Sequence, residues 1–166
     1  GSGLMSALVP RKKFKQIIYN DVDDLLVTFF RVLKEKPLEL QQRMMLTPFS
    51  RVLARKFKED IESGKINEYD DVEKALVVIY LSHTSMFGSI TARKGGFAVE
   101  RSRSLAREFL KKGAWITELA KHYVDVAIEN RDFRDIIKLY DSEYTLFYCD
   151  PPFLPIGVKD RDDYYR

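Results

Sequence analysis

The chain has 166 residues, 45% hydrophobic and 32% charged, with a formal net charge of +3 and a single cysteine. That length suits one domain, or one domain with an insertion, and the lone cysteine excludes an internal disulfide framework and suits a reducing cytoplasm. No apolar run approaches the roughly eighteen residues needed to cross a membrane, nothing at the start reads as a signal peptide, and the mild positive charge permits a nucleic-acid partner without requiring one.

In chain order, Gly1-Ser2-Gly3 precedes an apolar stretch, residues 4–10, that reads as a helix closed by Pro10. Residues 14–19 then read as a short strand. After Asp21 the period changes: Val22, Leu25, Leu26, Phe29, Phe30 and Leu33 recur at three and four residues, one apolar stripe along a helix.

Residues 38–122 are mostly helical in pattern, with breaks expected at Pro48, Gly64, Gly88, the Gly95-Gly96 pair and Gly113. Asp70 with Glu73 three residues on forms a capping box for a helix carrying Val72, Leu76, Ile79, Tyr80 and His83. An α/β pattern resumes with a strand at 124–128, a short helix at 133–139 and an apolar, buried strand at 145–149. That last strand runs into Asp150-Pro151-Pro152-Phe153. Two prolines can neither continue a ladder nor enter a helix interior, so the turn is rigid and holds an acid and an aromatic at a strand's carboxyl end, where open α/β sheets bind ligands.

Other reactive residue types read blandly. Cys149 has no histidine near it in sequence and reads as a packed small residue, His83 and His122 are isolated with no metal-ligand cluster around them, and Trp115 reads as core. Residues 91–112 hold seven basic side chains against two acidic ones, a net +5 that exceeds the charge of the whole chain. A solvated face and a phosphate-binding surface both fit that pattern.

Several segments in this order resemble one family. Asp-Pro-Pro-Phe after an apolar strand is similar to the catalytic signature of S-adenosylmethionine-dependent DNA adenine-N6 methyltransferases of the Dam-like branch. Tyr19-Asn20-Asp21 with the helix behind it resembles that family's second cofactor motif, and Ile128-Glu129-Asn130-Arg131-Asp132-Phe133 resembles its Asn-x-Asp-Phe element. Together the matches cover nearly the whole chain, with phenylalanine at 153 where the family more often has tyrosine.

The resemblance implies an α/β fold: a partial Rossmann-like methyltransferase sheet with an inserted helical target-recognition region. Residues 1–37 would be cofactor-binding, 38–122 the helical insertion, and 123–166 the continuation through the catalytic motif. Asp150 and the carbonyl of Pro151, in the stiff turn with Pro152, would accept both hydrogens of an adenine amine, localising a lone pair otherwise delocalised into the ring. Phe153 would stack on the extruded base. Asp21 would take the ribose or methionine side of S-adenosylmethionine, Asp132 its adenine amine, and Phe133 would pack near its adenine ring. Each acid also reads as a helix N-cap, a role that does not exclude the first.

For Gly1 and Gly3 two readings stand: the end of the family's glycine loop, or a cloning-derived linker, since Leu-Val-Pro-Arg resembles a protease-cleavable one. The insertion is where the family contacts double-stranded DNA, with Arg93, Lys94, Arg101 and Arg103 as the contacts. In the family the strand preceding the glycine loop lies between the second strand and the Asp-Pro-Pro strand, so a complementing chain or the rest of a longer polypeptide is expected to supply it. The alternatives are a noncatalytic DNA-binding remnant and an amino-methyltransferase acting on RNA or protein.

Overall fold

The computed structural model describes residues 8–84 and 104–150. Six helices and a two-stranded parallel sheet make a mixed α/β, mostly helical structure among these residues. Strands β1 (Ile17–Asn20) and β2 (Val126–Glu129) pair in register from Ile17↔Val126 to Asn20↔Glu129. Between them in sequence come α1 (Asp24–Glu35), α2 (Pro37–Leu46), α3 (Arg51–Glu62), α4 (Asp71–Thr84) and α5 (Leu105–Lys121); α6 (Phe133–Tyr140) follows β2.

The core is organised around α4. Val72, Leu76 and every residue from Val77 to Leu81 are buried, so this helix is apolar on nearly all sides and has helices packed around it. The sequence stripe identified one side of it. Glu73 N–H donates to the Asp70 carboxylate (2.7 Å), so Asp70 starts the helix as the capping pattern predicts. α1 lies on α4, α2 lies on α5, and one continuous cluster runs from the helices to Tyr19 and Val126 of the strands. Phe30 makes the join: its ring centre is 4.3 Å from Tyr19 and 5.2 Å from Tyr123, tying α1 to β1 and to the approach to β2.

Gly113 corrects one expectation. It lies inside α5 without breaking it, on the buried stripe of Phe109, Gly113, Ile116 and Ala120. A Cβ there would stand 3.2 Å from Met45 Sδ and 3.3 Å from Met44 Cβ, so the glycine lets α2 and α5 approach closely. Gln41 Nε2 reaches the Gly113 carbonyl (3.2 Å) across that contact. Trp115 is off the same stripe and is 67% exposed, contrary to its reading as core. Pro48 and Gly64 do separate helices, Gly64 with φ of 77°, while Gly88, Gly95 and Gly96 lie outside the described residues.

The strands shift too. Residues 11–13 form a 3-10 turn held by Arg11, which donates to the His122 carbonyl and pairs with Asp125 (3.5 Å), so β1 begins at Ile17 rather than at 14. After α5, the His122 and Tyr123 amides bond to Leu119 and Ala120 (3.0 and 2.9 Å) and Val126 N bonds to Tyr123 O (3.1 Å). That turn delays β2 to 126.

The third expected strand, 145–149, does not form. Its residues have no ladder partner, Leu146 and Tyr148 are exposed at 75% and 65%, and Thr145 is held in a local turn by its hydroxyl, which donates to Tyr140 O (2.6 Å). A strand exists through the neighbour that takes its hydrogen bonds. No described segment lies alongside this one to do so.

Replacing Gly113 by leucine is expected to destabilise the fold by about 1–3 kcal/mol in denaturant unfolding, although leucine is the better helix former, because α2 must be pushed off α5. A second outcome concerns the hydrogen bond from the Tyr69 hydroxyl to buried Asp60 (2.5 Å). Burial and this carboxylate push the Tyr69 hydroxyl from its ordinary 10 to about 12. The folded state therefore holds the proton more tightly, and the stability from this pair, complete below about pH 10, is lost as pH rises through about 12. Tyr69→Phe should flatten that alkaline loss while costing about 2 kcal/mol at neutral pH.

Candidate active site

The parallel register brings the carboxyl ends of β1 and β2 together, and each is followed by an acid. Asp21 comes directly after β1; Asp132 comes three residues after β2. Their surroundings differ. Asp21 Oδ1 accepts from Asp23 N–H (3.0 Å) and Oδ2 from the Tyr19 hydroxyl (3.2 Å). The cap of α1 is Asp23, whose carboxylate accepts from Leu25 N–H and Leu26 N–H (2.9 and 3.3 Å). Asp21 is therefore not the N-cap, and Val22, one residue short of that cap, is exposed instead of joining the apolar stripe.

Asp132 does cap α6, accepting from Arg134 N–H at 2.8 Å. Phe133, the first residue of α6, is 54% exposed, with the Arg134 guanidinium 5.4 Å from its ring centre. Burial and the Asp21 carboxylate push the Tyr19 hydroxyl well above its ordinary range, so Tyr19 stays a neutral donor to Asp21.

Two asparagines, quoted in the motifs but given no role there, hold this edge together. Asn20 Nδ2 donates to Arg131 O (2.9 Å) while its Oδ1 accepts from Arg131 N–H (3.0 Å). From the other strand, Asn130 Nδ2 donates to Asp21 O (3.0 Å). At the last ladder pair and just past it, then, Asn20 and Asn130 each reach the backbone that follows the opposite strand, fixing the two acid-bearing turns relative to one another. Tyr140 supports the same edge from α6 with a hydrogen bond to Glu129 (2.9 Å). The sequence signal was there in an Asn one or two residues before each acid, but only the pairing of β1 with β2 gives those amides their targets.

This edge is an acceptor-rich rim with one exposed aromatic. Two carboxylates suit hydroxyl and amine donors, and the phenylalanine suits a planar ring. The residues match a family as a whole: the model of D12 class N6 adenine-specific DNA methyltransferases covers residues 1–165.

The chain belongs to that family. No curated protein sequence matches closely enough to add a relative. As a D12 class enzyme it methylates the N6 amine of adenine in DNA. No helix among the described residues is long and apolar enough to cross a membrane.

Of the site residues expected from sequence, Asp21, Asp132 and Phe133 thus meet at one edge. Asp150 is exposed, in the irregular segment after Thr145. Cys149 beside it is exposed rather than packed, because the strand meant to bury it has no neighbour. Gly1, Gly3, Pro151, Pro152, Phe153, Arg93, Lys94, Arg101 and Arg103 lie outside the described residues. His83 is a packing residue: its ring stacks near Phe49 and Phe109 (5.7 and 5.8 Å) and Nε2 donates to Leu105 O (2.8 Å).

Asn20→Ala removes both hydrogen bonds to Arg131, and we expect a loss of about 1–2 kcal/mol in denaturant unfolding together with faster hydrogen exchange at the Arg131 amide.

Proposed function

We propose that this D12 class chain uses S-adenosylmethionine, gripped at the joined edge of β1 and β2, and presents adenine to it with the Asp150-Pro151-Pro152-Phe153 turn. The observation that carries the proposal is the meeting of Asp21 and Asp132 at one sheet edge, from residues more than a hundred positions apart. Their carboxylates fit the cofactor's chemistry: a ribose diol and an adenine amine are donors, and an exposed ring at Phe133 offers a stacking face. S-adenosylmethionine supplies an electrophilic methyl group when bound.

The chain's own groups do the rest. Asp21, its Oδ2 oriented by the neutral Tyr19 hydroxyl, accepts from the ribose or methionine side. Asp132, fixed by capping α6, accepts from the adenine amine. Gly1 and Gly3 form the end of the loop around the methionine part. Asp150 and the Pro151 carbonyl would accept hydrogen bonds from both N–H groups of the target amine, which localises its nitrogen lone pair for attack; this is positioning, with no tuned base required. Pro152 stiffens the turn, and Phe153 stacks on the flipped base without the hydroxyl of a tyrosine. Arg93, Lys94, Arg101 and Arg103 contact phosphates of double-stranded DNA.

Activity also needs a further strand. β1 pairs with β2 on one side, and residues 145–149 have exposed apolar side chains and no ladder. An extended apolar segment between them, from a longer polypeptide or a complementing chain, would satisfy both and bring Asp150 to the edge where Asp21 and Asp132 already are.

The test follows labelled methyl transfer from S-adenosylmethionine to unmethylated duplex DNA by this chain alone, by a version extended at both ends, and by that version with Asp150→Ala. Label in N6-methyladenine from the extended version, reduced about 10²–10³-fold by the substitution, is the expected result. Asp21→Ala should instead raise KM for S-adenosylmethionine about tenfold, the size expected for losing a hydrogen bond to a charged acceptor. Label in RNA or protein but not in DNA would overturn the target, and DNA binding without cofactor binding would leave a noncatalytic DNA-binding chain.

A further inference from the structure

Arg134 is the second residue of α6, a place where a basic side chain is locally unfavourable, because the free amides of a helix start carry partial positive charge. Its guanidinium is nevertheless drawn back over that start. Nε lies 3.2 Å from Asp132 Oδ1, the same oxygen that accepts the Arg134 N–H (2.8 Å), and the guanidinium carbon lies 5.4 Å from the centre of the Phe133 ring. Arg131, on the other side of Asp132 in sequence, is engaged elsewhere: its Nε pairs with Glu129 Oε2 (3.3 Å).

The two side-chain contacts of Arg134 match the chemistry of the ligand proposed for this edge. A guanidinium is planar, donates N–H groups and lies on aromatic faces. Adenine is also planar, donates N–H groups from its exocyclic amine and stacks on aromatic faces. Asp132 and Phe133 therefore offer Arg134 the same pair of interactions, an acceptor and a ring, that they offer an adenine. The Arg134 side chain is 71% exposed, so both contacts are weak enough for a ligand to displace.

We propose that Arg134 occupies the adenine seat of the cofactor edge, and that the adenine part of S-adenosylmethionine binds by displacing it from Asp132 Oδ1 and Phe133. The inference rests on the reading of Asp132 and Phe133 as the adenine-binding pair. Arg134 reduces the affinity of every ligand that enters there, in proportion to the fraction of molecules in which it holds the seat. It also sharpens selection. An adenine replaces both contacts, whereas a ligand that brings only a donor or only a ring leaves one of them unreplaced.

The experiment titrates S-adenosylhomocysteine into the version extended at both ends and follows binding by calorimetry. This probe keeps the adenosine of the cofactor and is net neutral, its ammonium and carboxylate cancelling, so the loss of one protein charge does not change its affinity through net charge. The unaltered protein is compared with Arg134→Met, which keeps helix propensity and removes the guanidinium, and with Lys138→Met, at an exposed lysine of the same helix that pairs with Asp135 (3.8 Å). Arg134→Met is expected to lower Kd about threefold to tenfold, the combined size of one exposed ion pair and one exposed cation–ring contact, while Lys138→Met leaves Kd unchanged. A merely structural role for Arg134 gives no such gain. An unchanged or higher Kd in Arg134→Met, or an equal fall in Lys138→Met, overturns the proposal. In the Arg134→Met background, Asp132→Asn, which can still cap α6, should raise Kd about fivefold. If that rise appears without the gain from Arg134→Met, the adenine-binding pair stands and Arg134 has no part in it. If the rise is absent, Asp132 is not the adenine acceptor and the proposal falls with the reading beneath it, as both do if the unaltered extended version binds no probe.

Discussion

The parallel pairing of β1 with β2 is the constraint on which the candidate site depends. Four residues on each side make it, and its register decides which side chains share the carboxyl edge. A slip of one residue would turn Tyr19 and Val126 out of the core and send the Asn20 and Asn130 amides to the wrong partners. So short a ladder is marginal by itself. It is held from outside, by Phe30 against Tyr19 on one face and by Lys34, whose Nζ donates to Val126 O (2.8 Å).

Behind that pairing stands α4. Because it is buried on nearly every side, α1, α2, α3 and α5 are each located by packing against the same helix. The Tyr80 hydroxyl illustrates the economy of the arrangement. It accepts from Ser50 N–H and lies 3.1 and 3.0 Å from the Pro48 and Ser50 carbonyls, so one buried phenol fixes the turn between α2 and α3. The described residues from α1 to the end of α5 thus pack as one body whose two ends deliver the strands.

How much of this could be read from sequence depended on whether the deciding interaction was local. The helix after Asp21, the Asp70 cap and the separation at Gly64 follow from periodicity and side-chain-to-backbone bonds within a few residues, and all were legible. The cap of α1 was misread by two residues because Asp21, Asp23 and Asp24 offer the same chemistry in a row. Gly113 and Trp115 were misread because their roles depend on a neighbouring helix: the glycine needs Met44 and Met45 beside it, and the tryptophan needs the stripe phase set by Phe109 and Ile116. Residues 145–149 failed for the complementary reason, since their apolar composition states what a strand would be made of, not who its neighbour is. At the candidate site, the motifs named Asp21, Asp132 and Phe133, which the paired strands bring to one edge, whereas the amide crosslinks of Asn20 and Asn130 became visible only across those strands.

The strand pairing also has a kinetic side. Ile17 and Val126 are 109 positions apart, so the ladder closes a very long loop that earns nothing until it is closed. The helices between them can form from local contacts, and their packing shortens the effective search. The site edge is accordingly among the last parts of this molecule to assemble, and among the first to open when the fold loosens. A molecule with its helical layer intact but its strands apart would look well folded by helix content and still have lost the edge at which Asp21 and Asp132 meet.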